Sequence, residues 1–412
     1  MDVSRRRFLQ GTTAGVATTA LAGGLIAAGA HADAATRTPV AADGTPLPPE
    51  SVPFHGEHQA GVFTPQQRSA VFAAFDVTAS GKAGLAALFK TITDRARFLT
   101  AGGTPVDLGL AAPPSDSEIL GPVVPADGLT ITLSVGAALF DKRFGLASRK
   151  PLKLTEMVSF PNDSLDPAWC HGDLMVQICA NEQDTVQHAL RDIAKYTRGG
   201  MQLRYRMNGF VSKPRPEGTP RNLMGFKDGI SNPLITEADK LVWVQPGTRE
   251  PAWATGGSYQ SVRLIRMLVE FWDRVSLKEQ QNMFGRRRDT GAPLDGVVQT
   301  DKPDYAADPA GNAIPLTAHI RVANPRTAKT DSSRLLRRGY NYDAGVDLNG
   351  NLDVGLVFCA YQQDLERQFV AVQTRLVDEP LIDYIQPYGG GYFFTLPGVK
   401  SSRDWLGSGL LA

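Results

Sequence analysis

The sequence predicts an α+β fold in which an antiparallel sheet carries helices on one face, and it predicts that this arrangement occurs twice. Three observations lead there. Strand-like and helix-like segments alternate in short succession as far as about Arg221, and a second run with the same kinds of element follows. A stretch rich in proline and charge, Ser212–Arg221 (SKPRPEGTPR), separates the two.

In the first run Ser69–Val77 (SAVFAAFDV) is a strand candidate and Gly81–Leu99 an amphipathic helix. Leu129–Val135 (LTITLSV) alternates as half-buried strands do. Asp173–Ala180 adds a strand, Asp184–Tyr196 a helix, and Met201–Phe210 a strand of alternating polarity. In the second run Val262–Trp272, Val354–Tyr361 and Gly391–Leu396 are strand candidates, with helices over Ser276–Phe284 and Asp364–Leu376. The repetition hints at a duplicated unit, although the residues do not align well enough to prove it. Leu241–Tyr259 and Arg286–Pro315, full of Gly, Pro and Asp, are expected outside the sheets.

The N-terminus carries a separate signal. Ser4-Arg5-Arg6-Arg7-Phe8-Leu9 precedes a weakly apolar Ala/Gly/Thr/Leu stretch and then Ala30-His31-Ala32, a small-x-small pattern. This reads as a twin-arginine (Tat) export signal over residues 1–32, with cleavage expected just after Ala32. A membrane anchor is the alternative, but a span needs about 20 strongly apolar residues, and this stretch is diluted by Gly and Thr. Tat passengers cross already folded, which suits a protein that receives a cofactor in the cytoplasm. Residues 33–54, with Pro46, Pro48, Pro49 and Pro53, read as a flexible lead-in. The expected domains are then 55–221 and 222–412.

Composition excludes several classes. Losing Arg5, Arg6 and Arg7 together with Asp2 takes the formal net charge from +1 to −1, so nothing favours a nucleic acid over a small molecule. Cys170, Cys179 and Cys359 lack CxxC spacing, which argues against zinc and against a disulfide framework. The absence of CxxCH means that a haem, if present, is not attached covalently in the c-type manner. A homo-oligomer is compatible with the composition.

Histidine is scarce. His55 and His58, in HGEH, could chelate a metal on a turn but read as solvated surface, as does His188 on a polar stretch of helix. His171 reads as a turn residue at a strand entry. His319, in Ala318-His319-Ile320-Arg321, stands among apolar residues, where a lone histidine is more often a satisfied core residue than a ligand.

Four segments carry a resemblance that changes this reading. Gly225-Phe226-Lys227-Asp228-Gly229, continuing Ile230-Ser231-Asn232-Pro233, matches the GxxDG signature of the dye-decolourising haem peroxidases. His319 to Arg326 (HIRVANPR) resembles that family's axial-histidine segment, Leu336-Arg337-Arg338-Gly339-Tyr340 its distal-arginine segment, and Gly389 to Phe394 its closing strand. The similarity runs from about Phe54 to the C-terminus and is greatest to the Tat-exported, EfeB-like branch. GxxDG alone is a weak pattern; four segments in order behind a Tat signal are a strong one.

The resemblance implies two ferredoxin-like domains and one noncovalent haem b per chain, held mainly by the C-terminal domain. It implies His319 as the axial iron ligand, with Asp228 and Arg337 as the catalytic pair on the opposite face. Gly229, Ile230 and Ser231 would cover that face, and Asn324, Pro325 and Arg326 would follow the ligand. Gly339 stands where some branches carry Asn or Ser, which implies a different hold on peroxide. Arg326 and Arg321 are candidates for the haem propionates.

The chemistry explains these residue types. Splitting a peroxide needs a proton moved from its inner to its outer oxygen, for which a carboxylate serves. Carboxylates of this kind titrate near 3.9 in water, so activity is expected to favour acid. A guanidinium supplies fixed charge and several donors to the departing oxygen. Bulky donors cannot reach a buried iron, so Tyr340, Tyr342, Tyr361, Tyr392 and Trp405 are candidate electron relays. The expected function is reduction of hydrogen peroxide with oxidation of dyes, phenols or similar small donors. The alternative is haem iron release or ferrous-iron oxidation in extracytoplasmic iron uptake, with permease components as partners besides the Tat translocon. A non-catalytic haem carrier would have no use for both Asp228 and Arg337.

Overall fold

The computed structural model describes residues 50–412. The expected signal over residues 1–32 and nearly all of the lead-in lie outside the described residues. The last of the lead-in is packed rather than loose: Ser51 is buried, Phe54 lies against the core, and the Glu50 carbonyl accepts from the Gly128 N–H at 2.8 Å.

The first unit runs β1 (Ser69–Val77), α1 (Gly81–Ala101), β2 (Thr130–Gly136), β3 (Leu174–Ala180), α2 (Gln183–Tyr196) and β4 (Met201–Phe210). β1 lies between β3 and β4 and β2 lies outside β3, all neighbours antiparallel, which is the ferredoxin-like order. The period of two sorts the residues. Val71, Ala73 and Phe75 of β1 join the core with Leu85, Phe89 and Ile92 of α1 and Val186, Ala189 and Ile193 of α2. Ala70, Phe72 and Ala74 take the opposite face.

The second unit repeats the plan. β5 (Ser258–Met267) leads into a one-turn helix, Val269–Trp272, and then α3 (Leu277–Phe284), α4 (His319–Ala323), β6 (Leu336–Arg337), β7 (Tyr340–Val346), β8 (Leu352–Gln362), α5 (Ala371–Arg375) and β9 (Ile385–Thr395). β8 and β9 flank β5, and β7 lies beyond β8.

The two sheets are joined. β9 pairs with β2 and β4 pairs with β7, so the second strand of each unit meets the fourth strand of the other. Since β5 also pairs with β8, the sheet closes into a ring. Its inner face is lined by Phe72, Met175, Cys179, Val262, Tyr340, Tyr361 and Phe393. Gln177 is tied there to Tyr361 at 2.7 Å.

Several expectations are corrected. The strand expected over Val262–Trp272 stops at Met267, where Leu268 turns the chain into the short helix. The helix expected over Asp364–Leu376 is a wide π-type turn at Glu366–Val370 followed by α5. β6 and β7 were not expected. His188 is not at the surface: it is 1 % exposed, with Nε2 2.7 Å from Asp116 Oδ2. His55 and His58 are half-buried rather than solvated, His58 stacking on Trp243 at 3.9 Å and bonding the Gly256 carbonyl at 2.7 Å. Among the described residues no helix is long and apolar enough to cross a membrane.

Candidate active site

A cavity of about 260 Å³ opens in the second unit. Its apolar walls come from Ile265 and Met267 of β5, Leu356 and Phe358 of β8, Phe284, and the Phe369–Leu381 stretch.

One wall carries Asp228 and Arg337. The loop before Asp228 is shaped by Asn222, whose Oδ1 accepts the N–H groups of Met224 and Phe226, each at 3.1 Å. Gly225 and Gly229 take φ of +87° and +85°, a region that a β-carbon resists. Asp228 Oδ1 accepts from the Gly229 N–H at 2.6 Å and from Arg337 Nη1 at 2.7 Å, which leaves Oδ2 uncommitted. Arg337 lies on β6 opposite Ala360. Asn232 fixes its backbone both ways, accepting from its N–H at 3.1 Å and donating to its carbonyl at 2.7 Å.

Another part of the wall carries His319, the first residue of α4. Arg375 of α5 donates to the terminal carbonyls of this short helix, Val322 at 3.1 Å and Ala323 at 2.7 Å. His319 Nδ1 is 2.7 Å from Oε2 of Glu379, a carboxylate whose side chain is 4 % exposed. Burial opposes charge on His319, but the Glu379 carboxylate outweighs it and holds the imidazole above its ordinary value. Phe284 packs near His319 and stacks on Phe226 at 3.9 Å, linking the histidine to the Asp228 loop through aromatic rings.

Asp228, Ile230, Ser231, His319, Asn324, Arg326 and Arg337 all line this cavity, whereas Gly229 and Pro325 serve the backbone beside it. Arg326 holds φ at +56°, with its N–H bonded to Asn324 Oδ1 at 3.1 Å. Arg321 is corrected: it does not line the cavity but pairs with Asp308 at 3.2 Å and lies over the Tyr305 ring. His171 is half-buried outside the cavity, its N–H bonded to the Gly390 carbonyl at 2.7 Å. None of the five aromatic relay candidates lines the cavity. Sequence reasoning missed Glu379, Asn232 and Arg286. Asn232 stands inside the quoted GISNP segment; Glu379 and Arg286 carry no local signal that marks them.

These residues fit a haem. His319 presents Nε2 to the cavity with its other nitrogen committed to a carboxylate, the arrangement that orients an imidazole for a metal. The walls are apolar and unpaired cations stand beside them, as a flat apolar ring with carboxylate arms requires.

Two ferredoxin-like units, with an Asp–Arg pair and a His–Glu pair on one apolar cavity, define a haem peroxidase. The chain belongs to the Dyp-type peroxidase family: the family's N-terminal model matches residues 59–211 and its C-terminal model residues 219–400. A deferrochelatase of Escherichia coli is 54 % identical over 421 residues, covering 100 % of this chain and 97 % of that protein. A DyP-type peroxidase from Cellulomonas bogoriensis is 37 % identical with a TM-score of 0.79, covering 88 % of this chain and 98 % of the other. DtpA from Streptomyces lividans, solved as an oxyferrous/water mixed complex, is 34 % identical with a TM-score of 0.80 and the same coverage, 88 % and 98 %.

Proposed function

We propose that the protein reduces hydrogen peroxide with a bound haem and oxidises dyes, phenols or similar small donors. The observation that carries this reading is the Arg337–Asp228 contact at 2.7 Å on the cavity that also receives His319. Haem, when bound, supplies the iron that takes up the peroxide and the electrons that cleave it. Asp228 moves the proton from the inner to the outer peroxide oxygen through Oδ2, since Oδ1 is engaged by Gly229 and Arg337. Arg337 keeps Nη2 and Nε for the departing oxygen. Glu379 orients His319 so that Nε2 faces the cavity, and the apolar walls exclude water.

A second reading, iron release from haem, is favoured by the name of the 54 % identical relative. One assay separates the two. Purified protein given peroxide and a phenolic dye is expected to bleach the dye in proportion to peroxide, with the haem spectrum retained. Iron-free porphyrin fluorescence without dye turnover would overturn the peroxidase reading in favour of the second.

Export through the Tat translocon is part of the proposal, supported by Arg5, Arg6 and Arg7 before the small-residue stretch. The double replacement Arg6→Lys and Arg7→Lys is expected to trap folded precursor in the cytoplasm, as fractionation would show. Normal export of that variant would remove the Tat reading. Function beside an iron permease is part of the second reading alone.

A further inference from the structure

The charges around the cavity do not balance. Its lining carboxylates are Asp228 and Glu379, already engaged by Arg337 and His319. Of the lining cations, Arg334 is paired with Glu237 and Asp331. Lys227, Arg286 and Arg326 have no carboxylate within ion-pair distance among the described residues. Arg286 is the notable one, because it is only 6 % exposed. The other deeply placed arginines of this unit, Arg263 and Arg266, each have an aspartate. Arg286 instead donates only through Nη1, to the Gly291 carbonyl at 2.7 Å and the Gln299 carbonyl at 3.1 Å. Its Nε and Nη2 make no hydrogen bond to the protein.

The surroundings add to the imbalance. Lys227 reaches the same Gln299, through its side-chain oxygen at 3.2 Å. Burial pushes the Arg286 guanidinium down to about 10, with Arg326 and Arg337 acting in the same direction and Tyr305 against it. A buried cation left without a partner is costly, and a guanidinium with two free edges is shaped for a carboxylate. A fold that keeps such a group on a ligand cavity leaves its counter-charge to the ligand.

We propose that Arg286, assisted by Arg326, is the anchor for the carboxylate arms of the bound tetrapyrrole, and that it holds the iron-bearing and the iron-free ring alike, whereas His319 selects for iron. This rests on the reading of the cavity as a haem site. The pocket then has two independent handles on its ligand, one for the ring and one for the metal. An iron-free porphyrin formed or captured there stays bound by its arms.

The test is a set of binding titrations on the full-length chain purified without haem, read by the Soret band and by quenching of porphyrin fluorescence. The probes are haem, haem dimethyl ester and iron-free protoporphyrin. Arg286→Met is expected to weaken haem and protoporphyrin by a similar factor, roughly 10- to 100-fold, with partial recovery in Arg286→Lys. His319→Ala is expected to weaken haem alone. Wild-type protein is expected to prefer haem over its ester, which lacks the charged arms, and this comparison needs no variant to fold. Removing a buried unpaired charge is also expected to leave the melting temperature of the haem-free protein unchanged or higher, while shrinking the gain on adding haem. Equal wild-type affinity for haem and its ester would overturn the proposal, as would an Arg286→Met protein that binds both rings as wild type does. Failure of wild type to give a histidine-ligated haem spectrum with any probe would instead remove the haem reading on which it rests.

Discussion

Asp228→Asn is expected to leave peroxide able to enter but to slow its cleavage by roughly 10²–10⁴-fold, the usual worth of positioned acid–base assistance. The amide keeps the shape and can still meet Arg337, yet it cannot carry a proton from one oxygen to the other. Arg337→Leu should cost about 10²–10³-fold, by loss of donors placed for the departing oxygen. The two side chains touch at 2.7 Å, so each single replacement also disturbs the survivor. The double variant should therefore lose less than the product of the two single losses. Stopped-flow measurement of the first spectral change after mixing with peroxide, as a function of its concentration, checks all three. If Asp228→Asn reacts at the wild-type rate while Arg337→Leu does not react, Arg337 carries activation and Asp228 only shapes the cavity.

His319→Ala should abolish the histidine-ligated spectrum and most haem retention, while His171→Ala, outside the cavity, should leave both near wild type. Glu379→Gln is the more informative change. It keeps a partner for Nδ1 but removes the charge, and loss of an outer partner of a metal-bound histidine typically costs roughly 10–100-fold in affinity. The pH dependence follows from the raised imidazole. In the haem-free protein the protonated His319–Glu379 pair stabilises the fold fully below the ordinary histidine value of about 6.5. That contribution is lost as pH rises through the higher folded value. Iron needs the neutral ring, so haem affinity should run oppositely and climb over that same interval. In Glu379→Gln burial acts unopposed, and the midpoint of the climb should move to lower pH. An unmoved midpoint would show that Glu379 does not set the charge of His319.

Much of the fold was legible because the first unit is regular. β1 and β4 begin and end where the sequence places them, since β-branched and aromatic runs bounded by turns leave little choice. β7 was not legible: Asp343 and Gly345 within it disfavour a strand, and its place is secured by pairing with β8. β6 is two residues long, too short for any period. In the site, residues that stand together in short motifs were readable. Glu379 was not, because its meaning comes from His319, sixty residues away in the chain and 2.7 Å away in space. His188 failed for the same reason: the helix around it is polar, and only the Asp116 loop folding over it makes it a buried ion-pair partner.

The crosswise pairing of strands has a consequence for how the chain can be divided. The family models part it between residues 211 and 219, and a cut there looks natural on paper. Physically it would strip β2 and β4 of their neighbours β9 and β7, leaving four lines of unpaired peptide groups, two on each piece. Each piece would then carry a surface shaped to receive a foreign strand, and the one surface that fits both its edges at once is the other piece. The intact ring offers no such edge, so contacts with other proteins must be made through side chains rather than by extending the sheet.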